Sequence, residues 1–96
     1  MLEGLLGNKS AEKVMLALYV NEELHASAIA QMNHTALDPI KKQLERFEEA
    51  KFLLSRMVGR SRLYRFNEDH PIMQPLRELL AIAYKNEMNK NRCSLE

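Results

Sequence analysis

Near the start of the chain, apolar positions recur with a helical period. Ala11, Val14, Met15 and Leu18 fall at i, i+3, i+4 and i+7, which places them on one helix face. The pattern predicts a helix from Asn8 or Ser10 to Val20, either residue being able to cap it with a side-chain oxygen. Leu16, Tyr19 and Val20 lie outside that stripe, so the helix is apolar nearly all round and is expected to be covered on more than one side.

Glu22-Glu23-Leu24-His25 breaks the pattern, with a short strand expected at Leu24 to Ala26. Ser27 is then placed to cap a second helix, Ala28 to Met32, and Asn33-His34 reads as the turn after it. Thr35 with Asp38 three residues on resembles a capping box, with Asp in place of Glu. Asp38-Pro39 offers a second start, with proline at the first helical position. The third helix, about residues 35–50, carries Ile40, Leu44 and Phe47 as its apolar stripe. Its opposite face holds Thr35, Asp38, Lys42, Glu45, Arg46 and Glu49, with Lys41 on the flank.

From Leu53 to Phe66 apolar residues occur at both parities. A two-residue loop at Gly59-Arg60 resolves much of this, because glycine suits the first loop position of a type II′ turn, where φ is positive. That register pairs Val58 with Ser61, Met57 with Arg62, Ser55 with Tyr64 and Leu53 with Phe66. It puts Leu53, Met57, Tyr64 and Phe66 on one face. Arg56, Ser61 and Arg65 fall on the other, among Leu54, Val58 and Leu63, with Arg60 and Arg62 at or beside the tip. A fourth helix follows from about Ile72 to Lys85 or beyond. Ile72, Leu76, Leu79, Leu80 and Ala83 form its stripe, and Met73, Ile82 and Tyr84 lie outside it. The tail, Asn86 to Glu96, is polar and predicts fraying.

The whole is expected to be one mainly α domain, 1–96, with an ordered core of about 8–86 and a small β-hairpin. Ninety-six residues suit a single small core. No run approaches the roughly 18 apolar residues that span a bilayer, and Leu5-Leu6 is cut off by Gly7-Asn8-Lys9 before any signal-peptide core develops. One cysteine, Cys93, excludes an intrachain disulfide framework and suits a reducing cytoplasm. Its neighbour Arg92 is the sole adjacent basic group, which favours an inert thiol.

Charge sharpens the picture. The formal net charge is only +1, but residues 41–65 hold eight Lys/Arg against three acids, a local +5, while the remainder carries −4. From Ala50 to Phe66 there is no acid at all. A helix with Lys41, Lys42 and Arg46 followed by an arginine-bearing hairpin is an arrangement that grips a duplex. Taken alone, those three cations also suit an ordinary solvated helix face. The paired acids Glu22-Glu23 and Glu48-Glu49 read as solvated surface, and the six methionines as core filler. His25, His34 and His70 are scattered without helical ligand spacing, so loop or capping roles are favoured over metal. Catalysis finds no Gly-rich phosphate loop and no nucleophile–base pair in recognisable context.

The segment IAQMNHTALDPIKKQLERFEEAKFLLSRMVGRSRLYRFN resembles the winged helix-turn-helix transcriptional regulators of bacteria and archaea, closest to the ArsR-like group. The likeness covers about Ala11 to Tyr84. It implies a cytoplasmic, homodimeric DNA-binding repressor paired through its terminal helices. Two departures stand out. Where the metal-sensing branch keeps a cysteine-x-cysteine after Glu-Leu, this chain has His25-Ala26-Ser27, so that thiolate site is absent and neither metal nor cofactor is expected. Lys51 replaces the usual glycine after the recognition helix.

The expected partners are double-stranded DNA and a second copy of the chain, with a regulator gated by a small-molecule effector between subunits as an alternative. Thr35, Asp38 and Lys42 are assigned to the major groove. Lys41, Arg46 and Arg56 are assigned to phosphates, and Arg60 and Arg62 to the wing contact. Leu16, Tyr19, Val20, Met73, Ile82 and Tyr84 are assigned to dimerisation. The rival from another class is a winged helix used for protein–protein contact within a larger assembly.

Overall fold

The computed structural model describes residues 7–94, with side chains through residue 86. The reading of Leu5-Leu6 and the side chain of Cys93 lie outside this set. In chain order the elements are α1 (Lys9–Val20), β1 (Leu24–His25), α2 (Ala26–Met32), α3 (Leu37–Glu49), β2 (Leu53–Val58), β3 (Ser61–Phe66) and α4 (Met73–Ser94). The strands form one antiparallel sheet in the order β1-β3-β2.

Asn8 begins α1, its Oδ1 accepting the Ala11 N–H at 2.7 Å. Ala11, Val14, Met15 and Leu18 are all buried, as their spacing requires. They meet Ile29 and Ala30 of α2, and Ile40, Leu44 and Phe47 of α3, in one core. Leu53, Tyr64 and Phe66 close that core from the sheet, and Met73, Leu80 and Ala83 close it from α4. Of the methionines, Met15 and Met73 fill the core, whereas Met32 and Met57 are exposed.

Four local expectations are corrected. First, α2 is capped by His25 rather than Ser27, so it begins two residues early; His25 Nδ1 accepts the Ala28 N–H. Second, α3 starts at Leu37 with Ala36 as an N-cap that makes no side-chain bond. The Thr35 hydroxyl donates instead to the Ala36 carbonyl, so neither Thr35 nor Asp38 forms a capping box. Third, Met73 faces the core and Ile72 does not. Ile72 is held in the turn, where its N–H donates to His70 Nδ1 at 3.1 Å, and α4 begins one residue later. Pro75 sits third in α4, where a helix needs no N–H donor. Fourth, α4 continues through the polar tail as far as Ser94.

The hairpin register is the predicted one at every pair from Leu53↔Phe66 to Val58↔Ser61. Gly59 has φ 61° while Arg60 does not share its positive sign, as a type II′ loop demands.

Two turns use left-handed residues that are not glycine. After α2, His34 (φ 53°) donates its N–H to the Gln31 carbonyl, and Thr35 donates to Ala30. After α3, Lys51 (φ 70°) donates to Glu48, and Phe52 donates to Phe47. Both are Schellman closures, which satisfy carbonyls that a helix end leaves orphaned. The second carries the usual apolar contact, Phe47 against Phe52 with ring centroids 6.5 Å apart. A side chain in this conformation costs roughly 1 kcal/mol relative to glycine. Lys51→Gly should therefore raise the melting temperature by about 4 °C or more, whereas Lys51→Val should lower it, as measured by thermal denaturation followed by circular dichroism.

Candidate nucleic-acid interface

The α2–α3 pair and the β2–β3 hairpin enclose an open groove of about 450 Å³. Leu37, Lys41 and Glu45 line it from α3, spaced one turn apart. Met57, Arg60, Arg62 and Tyr64 line it from the hairpin, and His25 and Ser27 from the β1–α2 junction. Three cations of the acid-free stretch and its approach, Lys41, Arg60 and Arg62, thus share one concavity with a single carboxylate, Glu45.

Arg62 reaches the groove because it pairs across the ladder with Met57, on the face that also bears Ser55 and Tyr64. Its Nη1 donates to Ser55 Oγ at 3.0 Å, and Ser55 Oγ in turn donates to the Glu48 carboxylate. This relay ties the hairpin to the last turn of α3. Glu48 is therefore a structural partner and not solvated surface. Burial pushes the neighbouring Tyr64 phenol above its ordinary range, with the Glu48 charge adding to the effect, so this side chain stays neutral at physiological pH.

Arg56 is placed elsewhere. It lies on the outer face of the hairpin, where its Nε and Nη2 donate to the two Glu23 oxygens at 2.8 and 2.7 Å. The guanidinium hydrogen bonds hold the Glu23 carboxyl below its ordinary range and raise Arg56 in turn. A depressed carboxyl contributes above its ordinary range and loses that contribution as pH falls through the lowered value. The pair is accordingly intact at neutral pH. Arg56, assigned to phosphate from the sequence, thus does not line the groove, and its guanidinium is paired with Glu23.

The other expected residues divide by face. Asp38, Lys42 and Arg46 are exposed on α3 but do not line the groove. The Arg46 guanidinium lies over the Phe47 ring, 4.9 Å from its centroid. Thr35 is half-buried at the α2–α3 turn. His25 and Ser27, expected only in loop or capping roles, and Tyr64, expected only on the inner hairpin face, join the groove; the β1–β3 pairing Leu24↔Tyr64 brings them there, and no local pattern announces it.

Two further surfaces are apolar. Val20, Ile82 and Tyr84 are exposed on α1 and α4, Val20 by 51% and Ile82 by 56%, while Leu16 and Tyr19 beside them are half-buried against the core. The Tyr19 and Tyr84 rings lie 6.0 Å apart. Met73, expected among them, is only 1% exposed and belongs to the core. A second groove, about 320 Å³, is lined by Met15, Phe47, Phe52, Ile72, Pro75, Leu76 and Leu79. Among the described residues no group of three or more His, Cys, Asp or Glu is placed to hold a metal, and no helix is long and apolar enough to cross a membrane.

No protein-family model matches the chain, and no curated protein matches its sequence. Solved structures do match. The AntR antimony-specific transcriptional repressor superposes with a TM-score of 0.68 at 22% identity, covering 91% of this chain and 78% of its own. AF1382 from Archaeoglobus fulgidus gives 0.69 at 18% identity, covering 91% and 98%. A MarR-family transcriptional regulator from Silicibacter pomeroyi gives 0.68 at 15% identity, covering 97% and 66%. The fold is a winged helix: helices around a three-stranded antiparallel sheet, with β2–β3 as the wing. These likenesses extend to regulators of the MarR family and do not single out the ArsR-like group.

The relay makes a specific demand on Ser55. Ser55→Ala leaves Glu48 and Arg62 without their shared hydroxyl and should cost about 1 kcal/mol of stability in urea denaturation. Ser55→Thr, which keeps the hydroxyl and suits a strand, should retain it.

Proposed function

We propose that this chain is a DNA-binding transcriptional regulator, acting as a homodimeric repressor with α3 in the major groove and the wing on the adjacent backbone. One observation carries the reading: Lys41, Arg60 and Arg62 converge on the groove between α3 and the wing. Fold likeness to AntR and to a MarR-family regulator supports it. Thr35, Asp38 and Lys42, at the start of α3 and on its outward side, are the candidates for reading base edges. Lys41, Arg60 and Arg62 neutralise phosphates, and Arg46 is a lesser candidate along the helix.

The accessible apolar side chains of α1 and α4 supply the second half of the proposal. Leu16, Tyr19, Val20, Ile82 and Tyr84 form the subunit contact, whose burial is worth about 25 cal/mol per Å² before association costs. Two subunits present two α3 helices, and their half-sites lie roughly 10 base pairs apart, as dimeric helix-turn-helix proteins require. A small-molecule effector would act through this dimer geometry.

The exposed apolar residues of the wing, Leu54, Met57 and Val58, favour a second reading, a winged helix that docks on another protein. The two readings part on the groove cations.

Three cations per subunit give about six phosphate contacts per dimer, so the logarithm of duplex affinity should fall against the logarithm of salt with a slope near −5. Arg60→Ala with Arg62→Ala should flatten that slope markedly, whereas Arg56→Ala should leave it nearly unchanged. Unaltered binding of the double variant to mixed duplex at low salt would favour protein docking. Sedimentation should report a dimer for the unaltered chain and a monomer for Val20→Glu or Ile82→Glu.

A further inference from the structure

His25 does two things with one ring. Its Nδ1 lies 3.2 Å from the Ala28 backbone nitrogen, which caps α2. A backbone N–H only donates, so Nδ1 carries its lone pair and the ring proton sits on Nε2. Ser27 Oγ, 2.9 Å from the same Nδ1, then shares that single lone pair as a second donor. The cap thus fixes the tautomer and leaves Nε2–H as the one donor of the ring. Among the described residues that donor meets no protein acceptor. His25 and Ser27 form the β1–α2 wall of the groove whose other walls carry Lys41, Arg60 and Arg62, with Glu45 the one acid among the lining residues.

We propose that His25 Nε2–H donates to a non-bridging phosphodiester oxygen of duplex DNA seated in this groove. Lys41, Arg60 and Arg62 supply the attraction, and His25 supplies direction, because a single donor on a ring fixed by its own helix cap has little orientational freedom. This assignment rests on the DNA-binding reading above and adds to it a residue on β1, outside both the recognition helix and the wing.

Two substitutions separate the ring's two edges. His25→Asn keeps a side-chain oxygen able to cap α2 and removes the outer donor. His25→Gln places an amide N–H near the former Nε2 and abandons the cap. The probe is a mixed-sequence duplex of about 30 base pairs, long enough for two half-sites, titrated at low salt and well below the melting temperature of each variant. His25→Asn should melt close to the unaltered protein but bind roughly tenfold more weakly, as expected for one lost hydrogen bond per subunit. His25→Gln should melt lower yet bind within about twofold of the unaltered chain, since its donor remains. Equal binding by His25→Asn and the unaltered protein would overturn the assignment. So would an equal loss of affinity by both variants, because the cap alone would then explain it. An unaltered chain that binds no duplex at all overturns the regulator reading itself, an outcome distinct from either.

Discussion

Between the last turn of α3 and the first residue of β2 the backbone passes through Lys51 in the left-handed region. That one reversal sets the direction in which the wing leaves the helical body. It is held from several sides. Phe52 N–H closes on the Phe47 carbonyl, Asn67 N–H donates to the Phe52 carbonyl, and Asn67 Nδ2 donates to the Lys51 carbonyl at 2.9 Å. The Phe52 ring packs on Phe47 and meets the His70 ring edge-on at 4.9 Å. The end of α3, both ends of the hairpin and the approach to α4 therefore share one junction. The unfavourable φ at Lys51 is tolerated because these bonds and contacts outweigh roughly 1 kcal/mol of backbone strain.

The groove depends on that junction and on a second tie nearer the tip. The Glu48–Ser55–Arg62 relay joins the final turn of α3 to the inner face of the wing. Without it, Arg62 would hang from a two-stranded ribbon, an element of marginal stability alone. At the base, Arg77 of α4 pairs with Glu68 and lies over the Phe66 ring, 5.1 Å from its centroid. The wing is fixed at root and mid-length, and its tip, Gly59-Arg60, is exposed.

Charge acts locally in this molecule. A net +1 says little about partners, because what a phosphate senses lies within about a Debye length, ~8 Å at physiological salt. The fold sorts the basic stretch between two faces of one sheet. Arg62 is turned inward to the groove, and Arg56 is turned outward to a bidentate carboxylate. The same alternation that makes a strand two-faced thus removes one arginine from a row that looks continuous in the sequence.

What the sequence determined by itself is whatever acts over a few residues. The α1 stripe, the α3 stripe, a cap for α1 at Asn8 or Ser10, the Gly59-Arg60 loop and the full hairpin register were all legible, because helical period, capping chemistry and the positive φ of a loop glycine are set by near neighbours. The site was legible only in part: the basic run pointed to Lys41, Arg60 and Arg62, but not to which faces they share. Tertiary structure alone decided that the two residues of β1 would pair with β3, bringing His25 and Ser27 to the groove. It decided that Glu23 would find Arg56, 33 residues away. It also decided that α4 would bury Met73 in place of Ile72. Each of these turns on how one element is rotated or docked against another distant in the chain, and that is fixed by packing, not by local propensity.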